Sequence, residues 1–197
     1  MDEKLVDKAR DFAVIMHKGQ YRKNGQEYIN HPIRVANNVL TFKKSNNMDI
    51  LLSSAYLHDT LEDTQATYDD LVRLFGNSIA SLVLELTNDK EMVKLIGKTN
   101  YLSMKMKSMS NYALCLKLCD RLDNVSDLVN VDQEFRHRYI IETSDILKCL
   151  INNRDLSNTQ LMLALKIVEY LDLANKNDID NNKLYSINDS IEKKLIK

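Results

Sequence analysis

One proline and four glycines in 197 residues leave little of the turn chemistry that a multi-stranded sheet needs. A dominant charge is lacking too, since 27 Lys and Arg face 28 Asp and Glu, for a net charge of -1 at pH 7. That balance excludes a general attraction to nucleic acid or to an anionic membrane, so any phosphate recognition has to come from local clusters. No apolar run approaches the length of a membrane span, and Met1-Asp2-Glu3-Lys4 starts no signal-peptide core. A cytoplasmic protein is the expectation. Cysteine is scarce and odd in number. Cys115 and Cys119 lie four apart but no further soft ligand accompanies them, and Cys149 stands alone, so all three read as buried thiols rather than a zinc site or a disulfide.

Helical periods fill the chain instead, and the fold class they predict is all-α. Leu5, Ala9, Phe12, Ala13 and Met16 form one stripe, which Gly19 ends. Gln20 to Asn30 has no such period and reads as a loop. Pro32 is expected at the first position of the next helix, with His31 as its N-cap. The Ser45-Asn46-Asn47 turn then leads into a helix expected to run on through His58 and Asp59. Thr67 to Asp70 resembles a capping box with Asp in place of Glu, and Gly76 is a stop signal. Further helices are expected over Ser78 to Thr87, Met92 to Met109, Asn111 to Leu128, Glu134 to Ile151 and Ser157 to Leu173. An Asn-rich linker over Asn175 to Asn182 and a short terminal helix over Ser186 to Ile196 complete the reading, with no internal repeat and no second domain boundary.

The densest chemistry lies in Tyr56-Leu57-His58-Asp59-Thr60-Leu61-Glu62-Asp63-Thr64. On a continuous helix Glu62 shares a face with His58, and Asp63 with Asp59. Three carboxylates without a nearby Lys or Arg repel one another unless a cation offsets them. Singly, the other segments have bland readings: His31 as a cap, Lys94 to Lys107 as a solvated face, Asp120-Arg121 as a local ion pair. Together, His31, His58, Asp59 and Asp120 supply two imidazole nitrogens and two carboxylate oxygens with coordination positions to spare, which suits Mn2+ or Fe2+ better than a structural zinc. Asp120 and Asn124 are one helical turn apart, with Asp127 on the same face. A divalent ion beside a carboxylate base is an arrangement for hydrolysing phosphoesters.

Four ordered motifs carry a resemblance: His17-Lys18-Gly19-Gln20-Tyr21-Arg22-Lys23-Asn24-Gly25, Tyr28-Ile29-Asn30-His31-Pro32, His58 to Thr64, and Lys117-Leu118-Cys119-Asp120-Arg121-Leu122-Asp123-Asn124. From about Leu5 to about Leu150 the chain resembles the hydrolase domain of RelA/SpoT homologues, within the HD superfamily of metal-dependent phosphohydrolases. The resemblance implies an HD-domain helical bundle around a single metal, usually Mn2+. It also implies removal of pyrophosphate from the ribose 3′ position of ppGpp and pppGpp, giving GDP or GTP. Carried over by motif, His31, His58, Asp59 and Asp120 look like metal ligands, and Glu62 and Asp63 like the pair that positions or activates water. Arg22 resembles the residue that stacks its guanidinium on guanine, which an ammonium cannot do. Lys23 and Asn124 resemble nucleotide contacts, and Arg138 a phosphate contact.

Departures from the family pattern are Cys119 where alanine is expected, Asp123 where His or Tyr is frequent, and Asp127 where Thr or Asp is. The implied organisation is a hydrolase domain over residues 1–155, followed over 156–197 by a further helix of the same domain and an Asn-rich tail. No synthetase domain follows, so a stand-alone small alarmone hydrolase is expected. Two other readings share these residues: an HD phosphohydrolase that removes the 2′-phosphate of NADPH, and a regulatory module that binds alarmone without turnover. Retention of Glu62 and Asp63 argues against the second.

Overall fold

The computed structural model describes residues 1–175 and 181–196. Twelve α-helices follow one another among them: α1 (Glu3–Met16), α2 (Asn30–Phe42), α3 (Met48–Leu57), α4 (Thr60–Asp63), α5 (Tyr68–Phe75), α6 (Asn77–Leu86), α7 (Lys90–Ile96), α8 (Lys98–Ser108), α9 (Asn111–Ser126), α10 (Gln133–Asn153), α11 (Asn158–Asn175) and α12 (Asn181–Leu195). A 3-10 turn, Leu128–Asn130, follows α9. The only extended pairing among the described residues is an isolated antiparallel bridge, Tyr21 with Glu27, inside the expected loop. The all-α expectation holds. No helix among the described residues is long and apolar enough to cross a membrane.

The helices group into two compact units, the first built from Met1–Asn88 with Ser110–Asp120, the second from Asp89–Met109 with the chain from Arg121 onward. In the first unit α3 is central and packs against α1, α2 and α6. Its run Leu51, Leu52, Ala55, Leu57 is buried. Ala9 and Ala13, fully buried, present α1's small side chains to a cluster with Leu57, Leu71, Phe75, Ile79 and Val83. Phe12 meets Phe75 edge-on at 5.5 Å between ring centroids, a favoured aromatic geometry. The capping box is present: Thr67 accepts from the Asp70 amide and the Asp70 side chain accepts from the Thr67 amide, so both helix-end donors of α5 are satisfied.

In the second unit α10 packs against α8, α11 and α12. Arg121 reaches the Glu142 carboxylate at 2.9 Å and lies 4.9 Å from the Tyr139 ring centroid. Arg121 therefore pairs along α10.

Several expected boundaries move. The single helix over Met92 to Met109 is two helices, because Gly97 between them adopts φ +81°, a left-handed value that breaks the helical ladder. α2 begins at Asn30, so His31 and Pro32 lie inside its first turn and His31 is not the cap. Asp127 falls after α9, at the start of the 3-10 turn, rather than on the helix that carries Asp120 and Asn124. The terminal helix starts at Asn181, ahead of the expected Ser186. Most of the expected linker over Asn175 to Asn182 lies outside the described residues.

Candidate metal centre

The centre forms where α3 ends. α3 stops at Leu57 rather than continuing through His58, and α4 begins at Thr60. The Thr60 hydroxyl donates to the Leu57 carbonyl at 2.7 Å, satisfying a buried acceptor that the interrupted helix would leave open. His58 and Asp59 thus sit in a tight turn, not on a continuous helix face. His58 is 3% exposed and its Nδ1 lies 2.7 Å from the Ala55 carbonyl. A carbonyl only accepts, so Nδ1 carries the proton and Nε2 presents its lone pair to the centre. His31, equally buried, enters from the first turn of α2, and Asp120 from α9.

Four side chains converge there. The His58 and His31 Nε2 atoms are 3.3 Å apart. Asp59 Oδ2 lies 3.0 Å from His58 Nε2 and 3.5 Å from His31 Nε2. Asp120 Oδ1 lies 3.3 Å from His31 Nε2 and 4.0 Å from His58 Nε2. His31, His58 and Asp120 offer donor atoms that all fall within 4.8 Å of one another. Donors bound to one ion at about 2.1 Å stand roughly 3 Å apart when adjacent and roughly 4 Å when opposite, so the separations among His31, His58 and Asp120 fit a single divalent ion, with Asp59 beside both histidines.

The electrostatics point the same way. Burial disfavours a charge on His58, but the Asp59 carboxylate, its hydrogen bond and the Asp120 carboxylate outweigh burial and raise its pKa. Asp59 is pushed up by burial and more strongly down by His58 and His31, to a net lowering. Burial likewise pushes Asp120 up, but Lys117, a hydrogen bond to His31 and the charges of both histidines hold it well below the carboxylate range. A raised imidazole pKa and lowered carboxylate pKa values both mean that positive charge is favoured among the donors, and a divalent ion supplies it. Two imidazoles and two carboxylates form a donor set suited to a divalent metal.

Around this cluster the structure adds residues to which the sequence alone assigns no role. The Tyr28 hydroxyl donates to Asp59 Oδ2 at 2.7 Å and lies 3.4 Å from Asp63 Oδ2. Burial first, then the Asp59 charge, pushes the Tyr28 pKa far above its ordinary range, so it remains a donor. Its ring stacks on His17, whose Nδ1 lies 2.7 Å from Gln20 Oε1, and Gln20 in turn donates to the Asp63 carbonyl at 2.7 Å. Lys117, buried on α9, places its ammonium 2.9 Å from Asp120 Oδ2.

Glu62 and Asp63 are both on α4 but turn to different partners. Half-buried Glu62 accepts from the Asn88 amide at 2.9 Å and from Asn88 Nδ2 at 3.1 Å. Asp63 is exposed. Arg22 and Lys23 lie in the loop between Gly19 and Asn30, where the Arg22 amide donates to the Gln26 carbonyl at 2.8 Å; Arg22 is half-buried and Lys23 exposed. Asn124 and Arg138 belong to the second unit, Asn124 half-buried near the end of α9 and Arg138 exposed on α10.

A family model described as HD domain matches residues 9–155. The chain belongs to the HD-domain family. The matched span of this HD domain contains His31, His58, Asp59 and Asp120. The chain is 35% identical over 165 residues to the guanosine-3′,5′-bis(diphosphate) 3′-pyrophosphohydrolase MESH1 of Drosophila melanogaster, covering 80% of this chain and 88% of that protein. To the MESH1 of Homo sapiens it is 38% identical over 165 residues, covering 80% and 89%. A guanosine-3′,5′-bis(diphosphate) 3′-pyrophosphohydrolase of Aquifex aeolicus is 36% identical over 150 residues, 72% of this chain but 20% of that protein. A solved structure of a metazoan orthologue of SpoT that hydrolyses ppGpp and plays a role in starvation responses matches with a TM-score of 0.73 at 28% identity, over 86% of this chain and 94% of that one.

Proposed function

We propose that this HD domain hydrolyses the 3′-pyrophosphate of guanosine-3′,5′-bis(diphosphate) and its pentaphosphate counterpart, giving GDP or GTP and pyrophosphate, with Mn2+ as its metal. The observation that carries the reading is the convergence of His31, His58 and Asp120 at separations that fit one ion, with Asp59 beside both histidines, in a chain similar over most of its length to proteins named for this reaction. His31, His58, Asp59 and Asp120 would hold the ion. A divalent ion there lowers the pKa of water and offsets the phosphate charge.

Glu62, oriented by Asn88, accepts a proton from the attacking water. That water's oxygen bonds to the phosphorus attached to O3′, the O3′–P bond breaks, and O3′ leaves with the electron pair and takes a proton from solvent. Asp63, tied through Tyr28 to Asp59, orients the water. Arg22 stacks on the guanine, with Lys23 contributing a contact to the nucleotide. Incubating the Mn2+-loaded protein with ppGpp and following GDP and pyrophosphate tests the reading. Stoichiometric release of both is expected, and no turnover by the loaded protein overturns it.

A further inference from the structure

Lys117 is the one charged residue in the apolar stretch Tyr112 to Cys119, and its side chain is 9% exposed. A lysine so placed is destabilising unless a charge meets it. Its ammonium lies 2.9 Å from Asp120 Oδ2, one turn ahead on the same face of α9. The other oxygen of the same carboxylate, Oδ1, lies 3.3 Å from His31 Nε2. The two oxygens of Asp120 are thereby divided, one held by Lys117 and one turned towards the histidines. The centre also sets two carboxylates, Asp59 and Asp120, around two imidazoles in a buried place, and the Lys117 amine is in contact with that set.

We infer that Lys117 is a positioning residue of the metal centre: it fixes which oxygen of Asp120 faces the histidines, and it is the built-in countercharge that keeps the cluster folded before a divalent ion enters. This rests on the proposed hydrolase reading for its kinetic consequence, but not for its thermal one. With Oδ2 committed to Lys117, Asp120 presents one oxygen and leaves a coordination position open. Without the ammonium, the carboxylate is free to turn both oxygens inward, and Oδ2 of Asp120 loses the cation that meets it. An ion pair that merely staples α9 would behave differently, because its loss would be felt equally with and without metal.

The test compares wild type, Lys117→Met and Lys117→Arg as full-length protein, stripped by chelator and then measured with and without MnCl2. Lys117→Met should lower the metal-free Tm by roughly 6–20 °C, as expected for a buried charge left unpaired, and Mn2+ should recover most of that loss. Lys117→Arg, which keeps the charge, should lie much nearer wild type without metal. If Lys117→Met folds in neither condition, Lys117→Gln replaces it, and the Mn2+-induced rise in Tm must be larger in Lys117→Gln than in Lys117→Arg. In the loaded Lys117→Met or Lys117→Gln enzyme kcat should fall about 10–100-fold with KM for ppGpp unchanged. Equal Tm losses with and without Mn2+, or no loss at all, overturn the inference. A wild-type protein that shows the Mn2+ shift but no ppGpp turnover overturns the proposed reaction and leaves the thermal comparison standing.

Discussion

Glu62 and Asp59 are three residues apart and meet different partners, because the chain turns between them. Asp59 faces the two histidines at 3.0 and 3.5 Å, whereas Glu62 is held by Asn88. His58→Ala or Asp59→Ala should therefore lose both bound metal and turnover. Glu62→Gln should keep most of the metal while turnover falls ~10²–10⁴-fold, the usual effect of losing a general base. Elemental analysis alongside kinetics on the purified variants checks this, and metal loss in Glu62→Gln as complete as in His58→Ala would contradict the assigned roles. At Arg22, the half-buried loop cation, replacement by Ala should raise KM for ppGpp with metal content unchanged, since ground-state binding is what is lost. Arg22→Lys should recover little of it, because an ammonium has no flat face to stack. Wild-type kinetics in Arg22→Ala would remove Arg22 from the substrate site.

Two threonines separate the stability of an element from its place in the centre. Thr67 caps α5 through its capping box with Asp70, and Thr60 donates to the Leu57 carbonyl at the break between α3 and α4. Thr67→Ala should cost about 1 kcal/mol, a fall in Tm of roughly 2–4 °C, with Mn2+ affinity unchanged. Thr60→Val keeps the shape but strands a buried carbonyl, at about 1–3 kcal/mol, and it loosens the turn that aims His58 and Asp59. Its Mn2+ affinity should fall as well. Thermal melts and chelator competition on both variants measure the contrast, which disappears if the turn is held by the surrounding packing alone. The continuous helix expected through His58 fails at this point for the same local reason. Thr60 offers its hydroxyl to a backbone carbonyl and so satisfies a helix end, which a periodicity of apolar residues does not register.

At the scale of the whole molecule, the centre draws on α2, the turn after α3, and α9, segments separated by up to 89 positions between His31 and Asp120. Removing the ion should therefore affect stability as well as rate. Dialysis against chelator should abolish ppGpp hydrolysis and lower Tm, and Mn2+ should restore both better than Mg2+, which prefers an all-oxygen shell to one with two imidazoles. Activity assays and melts over a metal panel decide it. Full activity in metal-free buffer would remove the metal from the mechanism.

The near-absence of proline and glycine and the repeated helical stripes determined the all-α class, and the capping box at Thr67 was readable because its partners are three residues apart. His31, His58, Asp59 and Asp120 could be nominated as a set by residue type and by ordered motifs. Their meeting was decided by packing, since three separate segments must converge before any distance exists. The same holds for the partners. Lys117 was visible as a charge in an apolar run with Asp120 one helical turn away, whereas the partner of Arg121, Glu142, lies 21 positions on and only the fold shows it. Tyr28 and Asn88 belong to the same class, because a hydrogen bond between residues 31 or 26 positions apart leaves no periodic trace in the sequence. Short-range chemistry is set by neighbours along the chain, whereas burial and long-range pairing are set by which helix faces the hydrophobic effect brings together.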